Sequence, residues 1–242
     1  MEPQRGPQWT LRQLALEDVH VYVLHEPVPD QTSRWLAVLD EADLRRYHRF
    51  RLPQKQQEFL IGRVLLRHVL AQYGGLDPAA IRFAYSPNGK PLLPGSPVQF
   101  NLSHAYGSYA CIVARDRAVG IDVEWRQRET RPISLEHVFA PPERDRLDAL
   151  GSEARKQLFF RLWTLKEAFW KALDPLSPLP FNRFFFTLDP IEVHSYGLNL
   201  PARSWRFVSQ HLAPAHVLAA AIEAAPHAPL HITRFDVQPH MV

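Results

Sequence analysis

The sequence predicts an α+β protein built from two similar lobes, and three observations carry that expectation. Each half of the chain holds one long helical segment, Gln54 to Tyr73 in the first and Glu153 to Leu173 in the second, with strand-like runs after it. Both halves therefore share one order, helices and then strands, although no close sequence repeat is visible. At 242 residues, 46% of them hydrophobic, the chain can bury a substantial core and fits one large domain or two small ones. The joint falls near Ala118, which gives an N-terminal lobe of residues 1–118 and a C-terminal lobe of residues 119–242.

After a proline-containing leader, Val19 to His25 alternates like a strand and opens the fold. Asp30 to Leu44 reads as helix. The helix from Gln54 sets Phe59, Leu60, Val64, Leu65, Val69 and Leu70 at helical spacing, and Gly74-Gly75 ends it. Ile81 to Tyr85 is a short strand leading into the turn Ser86-Pro87-Asn88-Gly89-Lys90-Pro91. Val98 to Leu102 is a strand that stops at Ser103-His104, after which Tyr106 to Arg115 resumes as strand. Beyond the strand Val119 to Trp125, Arg126 to Pro132 is a charged connector, and Ser134 to Leu150 contains a helix broken at Pro141-Pro142. In the second long helix Leu158, Leu162, Leu165 and Phe169 form an apolar stripe, and the proline-rich span Asp174 to Pro180 ends it. Four strands follow, at Phe184 to Leu188, Ser204 to Val208, Val217 to Ile222 and Ile232 to Val237.

No apolar run approaches the roughly 20 residues that span a bilayer, and the polar start Met1-Glu2-Pro3-Gln4-Arg5-Gly6 leads into no signal-peptide core. The one cysteine, Cys111, lies among Ala110, Ile112 and Val113, where a buried inert thiol is expected and no internal disulfide forms. These features predict a cytoplasmic protein with no membrane partner. A net charge of +3 suits a polyanionic small molecule or an acidic protein. Nucleic acid is disfavoured as a partner, because the basic residues are scattered and no aromatic stacking pattern interleaves them.

Chemistry concentrates in Val119-Gly120-Ile121-Asp122-Val123-Glu124-Trp125. Strand alternation points Asp122 and Glu124 to one face and Ile121, Val123 and Trp125 to the other. Two carboxylates held that close suit a hard cation, although the wet face of an amphipathic strand gives the same alternation. On the second long helix Trp163, Glu167, Trp170 and Lys171 share a face. Glu167 and Lys171 fit an exposed pair one turn apart, yet the flanking tryptophans imply an enclosed carboxylate with a raised pKa. Asn101, Ser103 and His104 cluster at a strand end, a common place for ligand contacts. Lys90 sits on a stiff turn, and Arg45, Arg46, Arg49 and Arg51 form the densest positive cluster, either a solvated helix face or a phosphate grip.

Four spaced segments in one order carry a resemblance: Asn88-Gly89-Lys90-Pro91, Phe100-Asn101-Leu102-Ser103-His104, Gly120-Ile121-Asp122-Val123-Glu124, and Trp163-Thr164-Leu165-Lys166-Glu167-Ala168-Phe169-Trp170-Lys171. With a looser likeness back through Arg46 and Phe59-Leu60-Ile61-Gly62-Arg63, the chain resembles the 4′-phosphopantetheinyl transferases of the two-lobed, surfactin-synthetase-activating type. The resemblance implies two lobes in a pseudo-twofold arrangement, each a small, mostly antiparallel sheet packed with helices, with the active site in the cleft between them. It implies transfer of 4′-phosphopantetheine from coenzyme A to a serine of an acidic apo acyl- or peptidyl-carrier protein. By position Asp122, Glu124 and Glu167 correspond to magnesium (Mg2+) ligands, with Asp122, Glu167 and Lys171 catalytic. Arg46, Asn88, Gly89, Lys90, Asn101, Ser103, His104 and Lys171 correspond to coenzyme A contacts, His104 and Arg46 at the 3′-phosphate. A second basic contact expected a turn before Arg46 falls at Asp43, which departs from the family pattern. A monomer is expected. The rival is a basic RNA- or protein-binding module without catalysis, for which the carboxylates are only structural.

Overall fold

In chain order the elements are β1 (Pro3–Gln4), β2 (Asp18–His25), α1 (Thr32–Leu36), α2 (Glu41–Arg49), α3 (Pro53–Gly74), β3 (Ala84–Tyr85), β4 (Pro91–Leu92), β5 (Val98–Ala105), β6 (Ser108–Arg115), β7 (Val119–Trp125), α4 (Leu135–Val138), α5 (Pro141–Asp148), α6 (Ser152–Leu173), β8 (Phe184–Leu188), β9 (Ile191–Ser195), β10 (Trp205–Leu212), β11 (His216–Glu223) and β12 (His231–Val237). The structure, a computed structural model, describes residues 3–4, 12–28, 30–128, 134–175, 179–197, 200, 203–213 and 215–241. Most of the polar N-terminal start, the end of the 126–132 connector and the middle of the proline-rich span lie outside the described residues. No helix among the described residues is long and apolar enough to cross a membrane.

The chain divides into two units. The first holds residues 1–85, 91–116 and 230–242, and the second holds 86–90 and 117–229. This differs from a single boundary near Ala118 at two places. The last strand, β12, leaves the C-terminal half to pair in parallel with β2, from His231 beside Asp18 to Val237 beside Leu24. Meanwhile the 86–90 turn belongs with the second unit, because its Asn88 and Lys90 side chains bond there.

The first unit is a five-stranded sheet in the order β1-β12-β2-β6-β5. Its inner strand β2 is buried along Val19 to Leu24, as a strand covered on both faces must be. Tyr22, Leu24, Tyr109, Cys111 and Phe100 pack into one core with Leu60, Val64, Leu65 and Val69 of α3. Gly62 lets the helix approach the sheet, since a methyl there would stand 3.2 Å from the Leu102 side chain. Burial pushes the Cys111 thiol upward, so it stays protonated and inert. Strands β5 and β6 form a hairpin closed by Tyr106-Gly107, both left-handed at φ 43° and 77°. Asp30 to Leu44 is not one helix. Asp40 interrupts it and caps α2 by accepting a hydrogen bond from the Asp43 amide at 2.9 Å.

The second unit sets the antiparallel sheet β10-β11-β7 and the hairpin β8-β9 around α6. Opposite Gly120, Asp122 and Glu124 stand Ala221, Ala219 and Val217. Those three pack with Leu165 and Phe169 of α6, so this face of the sheet meets the helix. Phe169 is ringed by Phe184, Trp205 and Phe207 at 5.2–5.7 Å between centroids. Beneath α6, buried Lys166 donates to Glu143 at 2.8 Å and to the carbonyls of Phe181 and Phe184. Glu143 also accepts from the amides of Ala140 and Phe186, so both buried charges are satisfied.

Candidate active site

The site is built where α6 lies against β7. Gly120 makes the approach possible: a Cβ there would run into the Ala168 carbonyl and the Ala172 amide nitrogen. The face carrying Gly120, Asp122 and Glu124 is therefore under the helix, and Asp122 is buried. That corrects the wet-face reading of this strand. Trp163, Glu167 and Lys171 recur every four residues along α6 on one side of the helix.

Lys171 bonds Asp122 rather than Glu167, with Nζ 2.5 Å from Oδ1. Glu124 accepts from Trp163 Nε1 at 2.7 Å and from Arg128 at 3.2 Å, both at Oε1. Burial, followed by the nearby charge of Asp122, pushes the Glu124 carboxyl above the usual carboxylate range. For Glu167 the same two causes raise the pKa to about 7. Among the described residues no hydrogen bond or ion pair engages the Glu167 carboxylate, so of the three acids it is the one available to a substrate.

The 86–90 turn clamps the end of α6. Lys90 Nζ donates to the Lys171 carbonyl at 2.9 Å and the Val119 carbonyl at 3.2 Å, and burial pulls its pKa down to about 8. Asn88 donates to Asp174 at 3.0 Å and to the Pro175 carbonyl at 2.6 Å. Gly89 takes φ 81°, which holds both side chains on the same tight turn. Lys90 and Asn88, expected at coenzyme A, thus hold the backbone at Lys171 and just beyond it.

In the first unit the expected trio on β5 is split by strand alternation. Asn101 and Ser103 are buried on one face, whereas His104 is exposed on the other. The strand runs on through Ala105 instead of stopping at Ser103. His104 stacks on Tyr109 at 5.7 Å and lies 3.4 Å from Glu58, near the start of α3. Arg46 projects from α2 over Phe59, 5.7 Å from the ring centroid, so His104 and Arg46 flank adjacent residues of α3. Arg45 is held in an exposed ion pair by Glu41. Asp43 is buried and receives Arg63 at 3.1 Å and Arg67 at 2.5 Å, anchoring α2 to α3. An arginine at position 43 would meet two others there, which explains the departure at that position.

The donor set fits a hard divalent cation in kind, since burial and then the charge of Asp122 push both Glu124 and Glu167 upward, and a cation among these carboxylates would relieve the repulsion. They are not a closed ligand shell. Among the described residues no group of three or more His, Cys, Asp or Glu side chains is arranged to hold an ion; Lys171, Trp163 and Arg128 engage two of the acids instead.

Comparison with known proteins identifies what this arrangement belongs to. Residues 118–222 match the 4′-phosphopantetheinyl transferase superfamily, and residues 24–117 match the family described as 4′-phosphopantetheinyl transferase, N-terminal. The sequence is 35% identical over 165 residues to 4′-phosphopantetheinyl transferase HetI of Nostoc sp., covering 66% of this chain and 70% of that protein. The chain belongs to the 4′-phosphopantetheinyl transferase superfamily. It is therefore an enzyme of this class. It is also 30% identical over 159 residues to 4′-phosphopantetheinyl transferase Sfp of Bacillus subtilis, covering 64% of this chain and 69% of that protein. A holo-(acyl-carrier-protein) synthase from Bacillus anthracis in complex with CoA aligns at a TM-score of 0.38 and 15% identity, over 44% of this chain and 94% of that one. Within this transferase, Gly120 was signalled in the sequence by a glycine inside a strand, which marks close backbone approach. Arg128 carried no such signal, because it reaches Glu124 from the turn after β7.

Proposed function

We propose that this transferase moves the 4′-phosphopantetheine group of coenzyme A to a serine of an apo acyl- or peptidyl-carrier protein, depends on magnesium, and releases 3′,5′-adenosine bisphosphate. One observation carries this reading: Glu167, a carboxyl with a pKa of about 7 and no hydrogen bond among the described residues, lies beside Asp122, Glu124 and Lys171. A base titrating near the working pH is both ionised and basic enough to act. Glu167 takes the serine hydroxyl proton as Oγ bonds to the β-phosphorus of coenzyme A. The bond from that phosphorus to the bridging oxygen breaks, and the oxygen leaves with the adenosine bisphosphate. The Lys171 ammonium faces the charge growing on that oxygen. Asp122, Glu124 and Glu167 would hold the magnesium ion, which supplies neutralising charge to the pyrophosphate.

Trp163 and Arg128 fix the Glu124 carboxylate, while Asn88, Gly89 and Lys90 position Lys171 through its backbone. His104 and Arg46 receive the 3′-phosphate, with Asn101 and Ser103 supporting the same strand. The enzyme works as a cytoplasmic monomer, and its acceptor is acidic, matching the net charge of +3.

Mass spectrometry of an apo-carrier protein incubated with enzyme and coenzyme A tests the proposal. A gain of about 340 Da, the phosphopantetheine group, is expected, and chelation should remove it until magnesium is restored. A binding module without catalysis would give no gain, and a gain that survives chelation would remove the metal from the reading.

A further inference from the structure

We propose that the first unit carries a second ligand site, sharing no residue with the reaction above, that takes a small phosphate monoester with an apolar body. A cavity of about 480 Å3 is lined by Arg12, Asp18, Tyr73, Pro97, Val98 and Arg115, among others, all of the first unit. That volume lies within the range of small-molecule pockets.

Two guanidinium groups give the cavity its chemistry. Arg12 is fixed in place before any ligand arrives. Its backbone amide donates to the Gln72 carbonyl at 2.8 Å, its Nε donates to the Gln72 side chain at 2.8 Å, and its guanidinium stacks 3.9 Å from the Phe235 ring centroid. Neither terminal amino group of Arg12 makes a hydrogen bond among the described residues. Arg115, at the end of β6, engages Asp116 through Nε at 3.4 Å and leaves its terminal pair equally open among those residues. Two planar forks with open donor pairs suit a phosphate, which presents several oxygens to bidentate partners. Asp18 is the one acid in the lining, and it is occupied: Oδ2 accepts from the Ala15 amide at 3.0 Å, and Oδ1 lies 3.7 Å from His231. The wall therefore remains net positive.

The remaining lining favours a ligand with a body. Tyr73 is held rigid by sharing hydrogen bonds with His20 Nδ1 at 2.7 Å and Tyr22 at 2.6 Å. Its ring joins Pro97 and Val98 as an apolar wall, which a bare inorganic ion would leave unused.

Calorimetric titration of phenyl phosphate and of inorganic phosphate into the full chain, with and without saturating coenzyme A, tests the site. Phenyl phosphate should bind saturably, more tightly than inorganic phosphate, and coenzyme A should not displace it. Arg115→Gln, near the surface at the strand end, should weaken it about tenfold, as loss of a charge-assisted pair does, with an unchanged melting temperature. Arg12→Gln should do the same, its fold checked by circular dichroism. Absence of saturable binding, displacement by coenzyme A, an affinity unchanged in Arg115→Gln, or equal affinity for inorganic phosphate would each overturn the proposal.

Discussion

Lys171 and Asp122 meet across the helix and strand, Nζ to Oδ1, at 2.5 Å. The bond neutralises the most buried acid of the site and leaves Glu167 as the carboxylate that carries the proton. Substituting Glu167→Gln keeps the shape and removes the base, so kcat should fall about 10²–10⁴-fold while the protein stays folded. Asp122→Ala should abolish transfer at ordinary magnesium concentrations, through loss of a ligand and release of Lys171. Labelled phosphopantetheine transfer to an apo-carrier protein reads both, and near-normal turnover in either variant would sink the assignment.

The contact at Gly120 makes a separate demand. A methyl group there must displace the Ala168 carbonyl or the Ala172 amide, both backbone, so α6 has to move off β7. Gly120→Ala should cost about 1–3 kcal/mol by overpacking, read as a shift in urea midpoint. It should also lower kcat more than the stability loss explains, because Glu167 and Lys171 move away from Asp122 and Glu124. A variant with a full denaturation shift but normal kcat would separate packing from catalysis and contradict the positioning role.

Motifs and their chemistry were legible where one residue's neighbours in sequence are also its neighbours in space. The apolar and acidic alternation of β7 and the four-residue spacing of Trp163, Glu167 and Lys171 are local, and the structure keeps both. What the sequence could not show depends on distant partners. Ile232 to Val237 reads as a strand, but nothing in six residues says that it pairs with β2, more than two hundred positions earlier. The helix from Asp30 to Leu44 looked continuous because helical propensity does not reveal that Asp40 turns its side chain to cap Asp43. Asn101, Ser103 and His104 looked like one cluster, although adjacent strand residues face opposite ways. The carbonyl partners of Lys90 and Asn88 at Val119, Lys171 and Pro175 are likewise invisible in a residue string.

His104 is exposed beside Glu58 and Tyr109 in the first unit. If it receives the 3′-phosphate, His104→Ala should raise the KM for coenzyme A and spare kcat. Dephospho-coenzyme A, which lacks that phosphate, should be used equally well by both proteins. Steady-state kinetics with the two substrates settles the role, and equal losses on both would reject it.

His20 gives the fold a pH dependence that is independent of catalysis. It is buried, shares a hydrogen bond with Tyr73, and packs edge-on to Phe235 at 5.3 Å, with Asp18 and Arg12 as the nearest charges. Burial lowers its pKa from 6.5 to about 4. Above pH 6.5 the ring is neutral in both folded and unfolded chains, and the contribution is fully present. Between 6.5 and 4 the unfolded chain takes up a proton that the folded chain refuses, so stability falls as pH falls, by up to about 3 kcal/mol over the window. His20→Gln retains a polar partner for Tyr73 and removes the titration, so its stability curve should be flatter across those pH values than that of the parent protein. Urea denaturation at half-unit pH intervals gives both curves, and parallel acid slopes would show that other groups carry the loss.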